Sequence, residues 1–373
     1  MVRSQLPKST DVFVIGGGPA GLAAAIAARQ CGFSVMVADG ARPPIDKACG
    51  EGLMPDSLAA LERLGIQLGV QDAFPFRGIR FLSSSASADT IFPIGHGLAV
   101  RRTVLHRLMI ERAMQMGADL RWGTVTTGIS REGVRLADDF VHARWIIGAD
   151  GSNSRVRHWA GIANRFRPRL RYAFRRHYRI APWTDRMEVY WGQRCQGYAT
   201  GVSDNEVCVA LASHDPSLRL EDGLCDLPSL NARLAGAEPV STERGAITGN
   251  RQIRRVWRGN VALIGDASGT VDAITGQGLG LAFSQAIHLA EALESGRLER
   301  YQAAHQQIAL RPLCMARLML MLDGRPWLQR RTLRAFREHP KVFRRLLAFH
   351  IGALPPTRLV WDGLTLGWGL FTA

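Results

Sequence analysis

The first forty residues constrain the fold more than any other part of the chain. Residues 11–15 form a short apolar run, residues 16–21 read GGGPAG, residues 22–31 are alanine-rich, and residues 34–38 form a second apolar run that ends at Asp39. An apolar strand that leads through a glycine turn into a helix and a second strand is typical of a βαβ unit. The pattern therefore predicts an α/β domain built on a parallel sheet.

The glycines of this turn have separate physical roles. Gly16 permits the tight turn after the strand, Gly18 lets the backbone approach a pyrophosphate, and Gly21 lets helix and strand pack closely. The free N–H groups and the dipole at the helix N-terminus attract phosphate. Asp39 is placed to accept a hydrogen bond from a ribose hydroxyl. These residues predict a dinucleotide site.

Composition narrows the class of protein. Hydrophobic residues make up 46% of the 373 residues, so the chain can bury a large core and is not disordered. The net charge is +15, and the only lysines are Lys8, Lys47 and Lys341. No helix-turn-helix, zinc-finger or stacking-platform signature accompanies this charge, so it does not indicate nucleic-acid binding.

The cysteines and the N-terminus bear on the compartment. Six cysteines are scattered without a CxxC pair, and no cluster has metal-ligand spacing. The chain enters a strand-like run early, without the regions of a signal peptide, and no apolar stretch reaches the roughly 18 residues of a spanning helix. We expect a cytoplasmic protein that is at most peripheral to a membrane.

Three further segments extend the dinucleotide pattern. Residues 148–157 read GADGSNSRVR, residues 259–282 read GNVALIGDASGTVDAITGQGLGLA, and residues 102–105 (RTVL) begin a helix. Together with GGGPAG, these motifs resemble in order and spacing the class A flavoprotein family typified by p-hydroxybenzoate hydroxylase, over residues 10–295. The resemblance implies bound FAD, a Rossmann-like FAD-binding domain with a parallel sheet, and an inserted antiparallel sheet.

The same resemblance implies roles for three polar residues. Asp266 would hydrogen-bond the ribityl chain, Asp150 would lie near the pyrophosphate, and Arg102 would contact the phosphate and ribityl region. For Asp150 and Asp266, the alternative is that each caps a helix, which is common for aspartate.

The resemblance also implies how the flavin is reduced. The turn Gly276-Gln277-Gly278 would aim the N-terminus of the helix over residues 278–293 at the isoalloxazine, where its dipole stabilises the negative charge of reduced flavin. Only one strand-turn-helix fingerprint occurs, so NAD(P)H would dock transiently as the reductant and has no domain of its own.

Within this family, two segments resemble the geranylgeranyl reductase branch. They are the loop KACGEG at 47–52 and the stretch DAITG at 272–276. The chain departs from that branch near Tyr198, where it reads GYATGVSD in place of an aromatic-x-aromatic-x-Phe-Pro stretch. It also departs at Gln277, which stands where these reductases usually have glutamate.

Cys49 and Glu51 are the candidate catalytic residues. A thiol beside reduced flavin can donate a proton to a substrate carbon if Lys47 or a helix terminus stabilises its thiolate. Glu51 can act as a general acid or base if it is desolvated. The alternative is that residues 49–52 form a tight loop in which the glycines alone matter.

Three aromatic residues on strand-like segments are candidates for the substrate pocket: Tyr190, Trp191 and Tyr198. Aromatic residues in such positions also serve as ordinary core residues.

The motifs predict an FAD-dependent oxidoreductase that acts on an apolar small molecule, aromatic or polyketide-like. Its reaction is either monooxygenation through a flavin C4a-hydroperoxide, which the missing prenyl-lipid stretch favours, or reduction of carbon–carbon double bonds. A flavin-binding or redox-sensing module without turnover is the alternative of a different class, and it predicts a closed pocket.

The motif order predicts three regions. The FAD-binding domain takes residues 9–75, 99–165 and 252–300, the substrate-binding sheet takes residues 76–98 and 166–251, and residues 301–373 form a basic helical region.

Two basic segments raise the question of partners. The C-terminal region has 11 basic and 3 acidic residues, and its apolar stretches predict either a lid that admits an apolar substrate from a membrane or carrier, or helices packed on the back of the sheet. The seven arginines of residues 165–179 predict a surface for NAD(P)H or for an acidic carrier.

Overall fold

The predicted N-terminal βαβ unit is present in the computed structural model, which describes residues 8–162, 170–355 and 358. β1 (Ser9–Ile15) leads into the glycine turn, α1 (Pro19–Gln30) follows, and β2 (Val35–Asp39) pairs parallel with β1. Pro19 suits the first helical position because its fixed φ is already helical and its missing N–H would have no partner there.

The remaining strands follow in chain order: β3 (Gly52–Leu53), β4 (Phe74–Phe76), β5 (Gly78–Leu82), β6 (Ser87–Ile91), β7 (Gly97–Ala99), β8 (Asp119–Trp122), β9 (Thr126–Ile129), β10 (Gly133–Leu136), β11 (Phe140–Gly148), β12 (Arg171–Arg179), β13 (Arg186–Trp191), β14 (Cys195–Ser203), β15 (Glu206–Ser213), β16 (Glu238–Pro239), β17 (Arg244–Thr248), β18 (Trp257–Arg258) and β19 (Val261–Leu263).

The remaining helices are α2 (Pro55–Arg63), α3 (Arg102–Gln115), α4 (Arg155–Trp159), α5 (Leu220–Cys225), α6 (Pro228–Arg233), α7 (Gly278–Glu294), α8 (Leu298–Leu322), α9 (Pro326–Glu338) and α10 (Pro340–His350). Two short 3-10 turns, Gly265–Ser268 and Ala273–Thr275, lie between β19 and α7.

The first sheet carries the predicted α/β architecture. Its strand order is β18-β19-β11-β1-β2-β8, and β10 and β9 extend it as a hairpin beside β11. β1 lies parallel to both β11 and β2, and β19 lies parallel to β11. Apolar residues of α1, α3 and α7 form one buried core against this sheet. The α/β fold class is confirmed.

The second sheet is largely antiparallel, as predicted for the inserted sheet. Its order is β16-β12-β15-β14-β13-β5-β6, with β17 also paired to β12, and only β13 and β5 run parallel among these pairs. A small third sheet is formed by β3, β7 and β4, which lie where the chain passes between the two larger sheets. Each of the two larger sheets is built from strands that are far apart in the sequence.

The C-terminal helices cover one face of the second sheet. The rings of Phe336 and Phe343 stack with centroids 4.3 Å apart, and Phe343 lies 5.8 Å from Phe81 of β5. These helices therefore pack on the sheet face that looks onto the site described below, and residues 359–373 of the predicted tail lie outside the described part. Within that part, no helix has the length and apolar character needed to cross a bilayer.

The expectation that the arginines of residues 165–179 form a basic docking surface does not hold for Arg171 and Arg175 of β12, whereas Arg176 and Arg179 of the same strand keep side-chain exposures of 20% and 64%. Arg171 and Arg175 are each 1% exposed and pair with carboxylates inside the protein. They lie on the same face of the strand because side chains two or four residues apart point the same way. Arg165, Arg167 and Arg169 lie outside the described residues.

Two buried histidines of the C-terminal helices, His305 of α8 and His350 of α10, couple stability to pH. Burial lowers the pKa of His305 and of His350 from 6.5 to about 4. Between these values the unfolded chain binds more protons than the folded one, so their contribution to stability is complete above pH 6.5 and is lost as the pH falls towards 4.

We expect the free energy of unfolding of His305→Gln to fall less than that of the wild type between pH 7 and pH 5. The difference should be about 2 kcal/mol, because one pKa unit corresponds to about 1.4 kcal/mol. Urea unfolding at both pH values with excess FAD measures it. His288→Gln, which changes an exposed histidine of α7, should keep the wild-type pH dependence. Equal pH dependence in His305→Gln and wild type would contradict the assignment.

Candidate active site

One large cavity lies between the two large sheets and the C-terminal helices. Its volume is about 890 Å³. One end is lined by the predicted cofactor motifs, including Gly16, Asp39, Asp150 and Asp266. The other end is apolar and is formed by side chains of the second sheet and the last three helices: Phe81, Trp191, Met319, Leu322, Phe336, Phe343 and Leu347.

The glycine turn at the polar end requires glycine for steric reasons. A Cβ on Gly16, whose φ is +112°, would lie 2.5 Å from the carbonyl oxygen of Ala149. A Cβ on Gly21 would lie 1.8 Å from the carbonyl oxygen of Gly16, so Gly21 packs helix against turn and does not itself line the cavity. Gly18 has open space around its Cβ position and lines the cavity, as expected for a backbone that approaches a pyrophosphate.

Asp39 and His106 hold this turn. Asp39 Oδ2 accepts from Gly17 N at 2.7 Å and its Oδ1 accepts from Ala41 N at 2.7 Å. The sequence did not point to His106, whose Nε2 lies 2.8 Å from the carbonyl oxygen of Gly17 and therefore donates to it. Burial lowers the pKa of His106, which favours the neutral ring.

Asp150 and Arg102 present unused polar atoms inside the protein. Asp150 Oδ2 accepts from Arg155 N at 2.7 Å and Val156 N at 3.1 Å, at the start of α4, so the helix-capping alternative holds for this oxygen. Its Oδ1 is buried without a partner, and so is Arg102 Nε. Both residues line the cavity. Buried polar atoms without partners are costly, which fits a polar cofactor bound between them.

Asp266 is paired across the cavity wall with Lys47. The distance from Lys47 Nζ to Asp266 Oδ2 is 2.9 Å, and both side chains are about two-fifths exposed. Lys47 is one of the two groups considered above for stabilising a Cys49 thiolate, and its ammonium contacts Asp266. Asp266 lies at the end of β19, where ligands bind in sheets of this kind.

In the turn Gly276-Gln277-Gly278 at the start of α7, only the two glycines line the cavity. Gly276, with φ +65°, and Gly278 line the cavity. The side chain of Gln277 points into the protein, where its Nε2 donates to the His350 carbonyl oxygen at 2.6 Å and to Asp56 Oδ2 at 3.3 Å. Gln277 therefore connects α7 with α2 and the end of α10.

The loop with both candidate catalytic residues forms part of the cavity wall. Cys49 is half-buried, and its Sγ accepts from Glu51 N at 3.4 Å. Glu51 is 2% exposed and has φ +60°, the only positive φ of a non-glycine residue within the described ranges. Such a conformation costs about 1–3 kcal/mol and persists only where the surroundings impose it.

Two of the three aromatic residues predicted for the substrate pocket line the cavity. Trp191 and Tyr198 line the cavity, and Trp191 stacks on Phe81 with centroids 5.0 Å apart. Tyr190 does not line it: its hydroxyl donates to Glu188 Oε2 at 2.5 Å in the core on the opposite face of the sheet. The reason is the alternation of side chains along β13, which places consecutive residues on opposite faces.

Sequence reasoning missed the buried ion pairs that join the second sheet to the cofactor loops. Arg171 Nη1 donates to Asp272 Oδ1 at 2.9 Å, and both side chains are 1% exposed. Arg175 pairs with Asp46, and His177 Nε2 lies 2.7 Å from Glu51 Oε2. The signal available was the spacing of Arg171, Arg175 and His177, which share one face of a strand.

The residues described here fit FAD. The open Gly18 backbone suits a pyrophosphate, and the unused atoms of Asp150 and Arg102 lie in the wall beside it. The cavity volume of about 890 Å³ also falls within the range of about 300–1,000 Å³ that ligand sites take.

Comparison with known proteins agrees with this reading. Residues 9–176 match the family model described as "FAD binding domain". Digeranylgeranylglycerophospholipid reductase 1 of Methanopyrus kandleri is 30% identical over 307 residues, which cover 73% of this chain and 77% of that protein. Menaquinone reductase of Mycobacterium tuberculosis (strain H37Rv) is 29% identical over 325 residues, 78% of each chain.

Among solved structures, a flavoprotein/dehydrogenase from Cytophaga hutchinsonii superposes with a TM-score of 0.78 at 19% identity. The match covers 92% of this chain and 93% of that one. This likeness supports the fold. FAD is confirmed as the cofactor, and NAD(P)H is the reductant typical of the family. The chain therefore belongs to the class A flavoproteins that share the FAD binding domain, and it is an FAD-dependent oxidoreductase.

Proposed function

We propose that the protein is a flavin-dependent reductase of carbon–carbon double bonds in a polyprenyl chain. The observation that carries the proposal is the apolar half of the cavity, which continues from the cofactor motifs into a space walled by Met319, Leu322, Phe336 and Phe343. A long hydrocarbon chain loses no hydrogen bonds on entering such a space and gains burial of its apolar surface.

The names of the relatives support the same substrate class. A digeranylgeranylglycerophospholipid and a menaquinone have different polar ends, but both carry a polyprenyl chain. In a digeranylgeranylglycerophospholipid, the groups open to reduction are the double bonds of that chain. The shared chain is therefore the feature that we transfer to this protein.

The chain's own residues would hold the cofactor from several sides. The turn 16–21 and the N-terminus of α1 would bind the pyrophosphate, with Arg102 and Asp150 beside it, and Asp266 would bind the ribityl chain. FAD, when bound and reduced, supplies a hydride. The second hydrogen of each reduced double bond must then arrive as a proton from the protein or from water.

Two residues of the cavity wall can handle that proton. Cys49 is half-buried on the wall, and the Glu51 carboxylate lies behind the same loop. The apolar helices on the other side keep bulk water away from the reacting carbons, so proton transfer would occur from this loop rather than at random from solvent.

The reaction products test the proposal against monooxygenation. Protein with FAD and NADPH or NADH is incubated without oxygen with menaquinone-4 or geranylgeranyl diphosphate, and products are analysed by mass spectrometry. We expect a gain of two hydrogen atoms per reduced double bond in at least one probe, without any need for oxygen. A product that forms only in air and contains an added oxygen atom would instead establish monooxygenation.

Cys49→Ser should separate proton donation from cofactor binding. We expect full FAD occupancy, measured by absorbance, and a turnover number at least about tenfold lower, because general acid catalysis contributes on the order of 10²–10⁴ in rate. Cys225→Ser, a change at an exposed cysteine of α5, is the matched control and should behave like the wild type. Unchanged turnover in Cys49→Ser would leave Cys49 with a structural role.

We further propose that the apolar substrate enters from an anionic membrane surface. Met321 and Trp327 line the cavity and are 52% and 54% exposed, so the cavity opens to the outside beside them. The surrounding helices α9 and α10 carry many arginines and a single acidic residue, Glu338. Exposed tryptophan next to arginine is typical of surfaces that rest on lipid headgroups.

Flotation with vesicles tests this surface. We expect the protein to float with vesicles of phosphatidylglycerol and phosphatidylcholine at low salt and to dissociate as salt rises, because the attraction is screened over about 8 Å at physiological ionic strength. Trp327→Ser should weaken flotation, whereas Val70→Ser, at a residue 99% exposed elsewhere, should not. Flotation that both variants share with the wild type would contradict this entrance, and binding to an acidic carrier protein alone would favour carrier delivery.

A further inference from the structure

The buried side chain of Glu51 is connected to the protein surface by a line of hydrogen bonds. Its Oε1 accepts from Arg102 N at 2.9 Å, and its Oε2 lies 2.7 Å from His177 Nε2. On the far side of the imidazole, His177 Nδ1 lies 2.9 Å from Ser241 Oγ. Ser241 is half-buried, in the connection between β16 and β17. The line therefore reaches from the cavity wall to the surface.

The surroundings of His177 fix where its proton lies. Besides Ser241, Nδ1 faces Arg175 Nη1 at 3.3 Å and Arg101 Nη2 at 3.4 Å. Guanidinium groups only donate hydrogen bonds, so Nδ1 must accept. The proton of the neutral ring is then on Nε2, where it is donated to Glu51.

The Ser241 hydroxyl is free to donate in this line. Its oxygen already accepts from His177 N at 2.9 Å. The hydroxyl hydrogen can therefore point at Nδ1 of the same histidine, while the remaining lone pair accepts from water. Each link in the line has a donor and an acceptor in the order needed for a proton to move inwards.

We propose that Ser241, His177 and Glu51 form a proton-transfer chain that supplies the cavity from solvent. The Ser241 hydroxyl gives its proton to His177 Nδ1 and takes one from water, which releases hydroxide to the solvent. The Nε2 proton moves to the Glu51 carboxylate, and Glu51 gives its proton to the substrate carbon that does not receive the hydride. His177 is then left with its proton on Nδ1, and exchange with water restores the Nε2 tautomer before the next transfer. No electrons move in these steps. The proposal rests on the proposed reduction, in which each double bond takes up one hydride from reduced FAD and one proton.

The other charges around the chain are paired. Arg175 pairs with Asp46 and Arg101 pairs with Glu206 Oε1 at 2.9 Å, so these four groups balance one another. Arg244 Nε also lies 3.3 Å from Asp46 Oδ2, and Arg175 Nε lies 3.9 Å from Glu51 Oε1. Because these arginines and carboxylates are paired with one another, their charges stay constant while the proton moves.

A metal ion is the other reading of this cluster. Ligand atoms of Glu51, His177 and Cys208 lie within 4.8 Å of one another. Burial raises the pKa of the Cys208 thiol, so it keeps its proton and is a poor ligand. Two guanidinium groups also face the imidazole, and they repel a metal cation. These contacts favour a proton path.

His177→Gln distinguishes proton transfer from simple positioning. The carboxamide can still donate to Glu51, but it has no nitrogen that passes a proton on. FAD-loaded protein is reduced without oxygen and mixed with geranylgeranyl diphosphate, and flavin reoxidation is followed by stopped-flow absorbance. We expect the rate of flavin reoxidation to fall at least about tenfold and the solvent deuterium isotope effect on this rate to increase. A wild-type rate in His177→Gln would overturn the proposal.

Two further comparisons control this experiment. His288→Gln removes the histidine of an exposed pair with Glu291, in which Nδ1 and Oε2 are 2.9 Å apart, and should reoxidise at the wild-type rate. Ser241→Ala should slow flavin reoxidation, whereas Ser241→Thr, which keeps a hydroxyl, should reoxidise at close to the wild-type rate. Equal rates in Ser241→Ala and wild type would show that Ser241 passes no proton and would overturn the chain.

A measurement without substrate separates this proposal from the proposed function. NMR of the oxidised, FAD-bound protein labelled with ¹⁵N-histidine reports which ring nitrogen is protonated, and the signals missing from His177→Gln identify the residue. We expect the proton of His177 on Nε2. A proton on Nδ1 would overturn the chain whether or not the probe is reduced. The expected tautomer in a protein that reduces neither polyprenyl probe would support the chain and contradict the proposed function.

Discussion

Arg171 and Asp272 form an ion pair that is sealed from solvent where the second sheet meets the cofactor loops. Both side chains are 1% exposed, and Nη1 and Oδ1 are 2.9 Å apart. Removing one partner of such a pair leaves a buried charge and costs about 3–5 kcal/mol. Asp272 also accepts from Ile274 N at 3.0 Å, so the pair fixes the turn that leads into α7. The position of the cofactor end of the cavity relative to the second sheet depends on this contact.

An arginine is suited to this place in a way that a lysine is not. Besides its bond to Asp272, Arg171 donates from Nη2 to Gln196 Oε1 at 3.2 Å and towards the Ala212 carbonyl oxygen at 3.3 Å. One planar group thus contacts β14, β15 and the cofactor loop at once. Four residues further along the same strand, Arg175 reaches Asp46 in the loop after β2. The inward face of β12 therefore holds both loops beside the cavity.

The parts of the site that could be predicted from sequence are those whose physics is local. Gly16 needs a positive φ, and Gly21 packs on the Gly16 carbonyl within the same βαβ unit, so their spacing alone indicates the turn. The role of His177 could not be predicted in this way, because its partner Glu51 is 126 positions away and only the pairing of strands brings them together. The position of Tyr190 outside the cavity could not be predicted for a related reason. Its strand was recognisable, but which face of β13 points to the cavity depends on the register of the strand within the sheet.

The same fold serves many flavin reactions, so the reaction is decided by what the cavity excludes and supplies. A reductase of double bonds must bring a hydride and a proton to neighbouring carbons while bulk water stays out. In this protein, different structural elements provide the cofactor site, the apolar wall and the ionisable side chains. The cofactor turn and its loops hold the source of electrons, and the helices α8 to α10 provide the apolar wall. Ionisable side chains approach from the loop that carries Cys49 and Glu51, where backbone strain and buried partners hold the carboxylate in place. Under the proposed function, this separation would let a long apolar substrate move past a fixed proton source, which a chain with several double bonds requires.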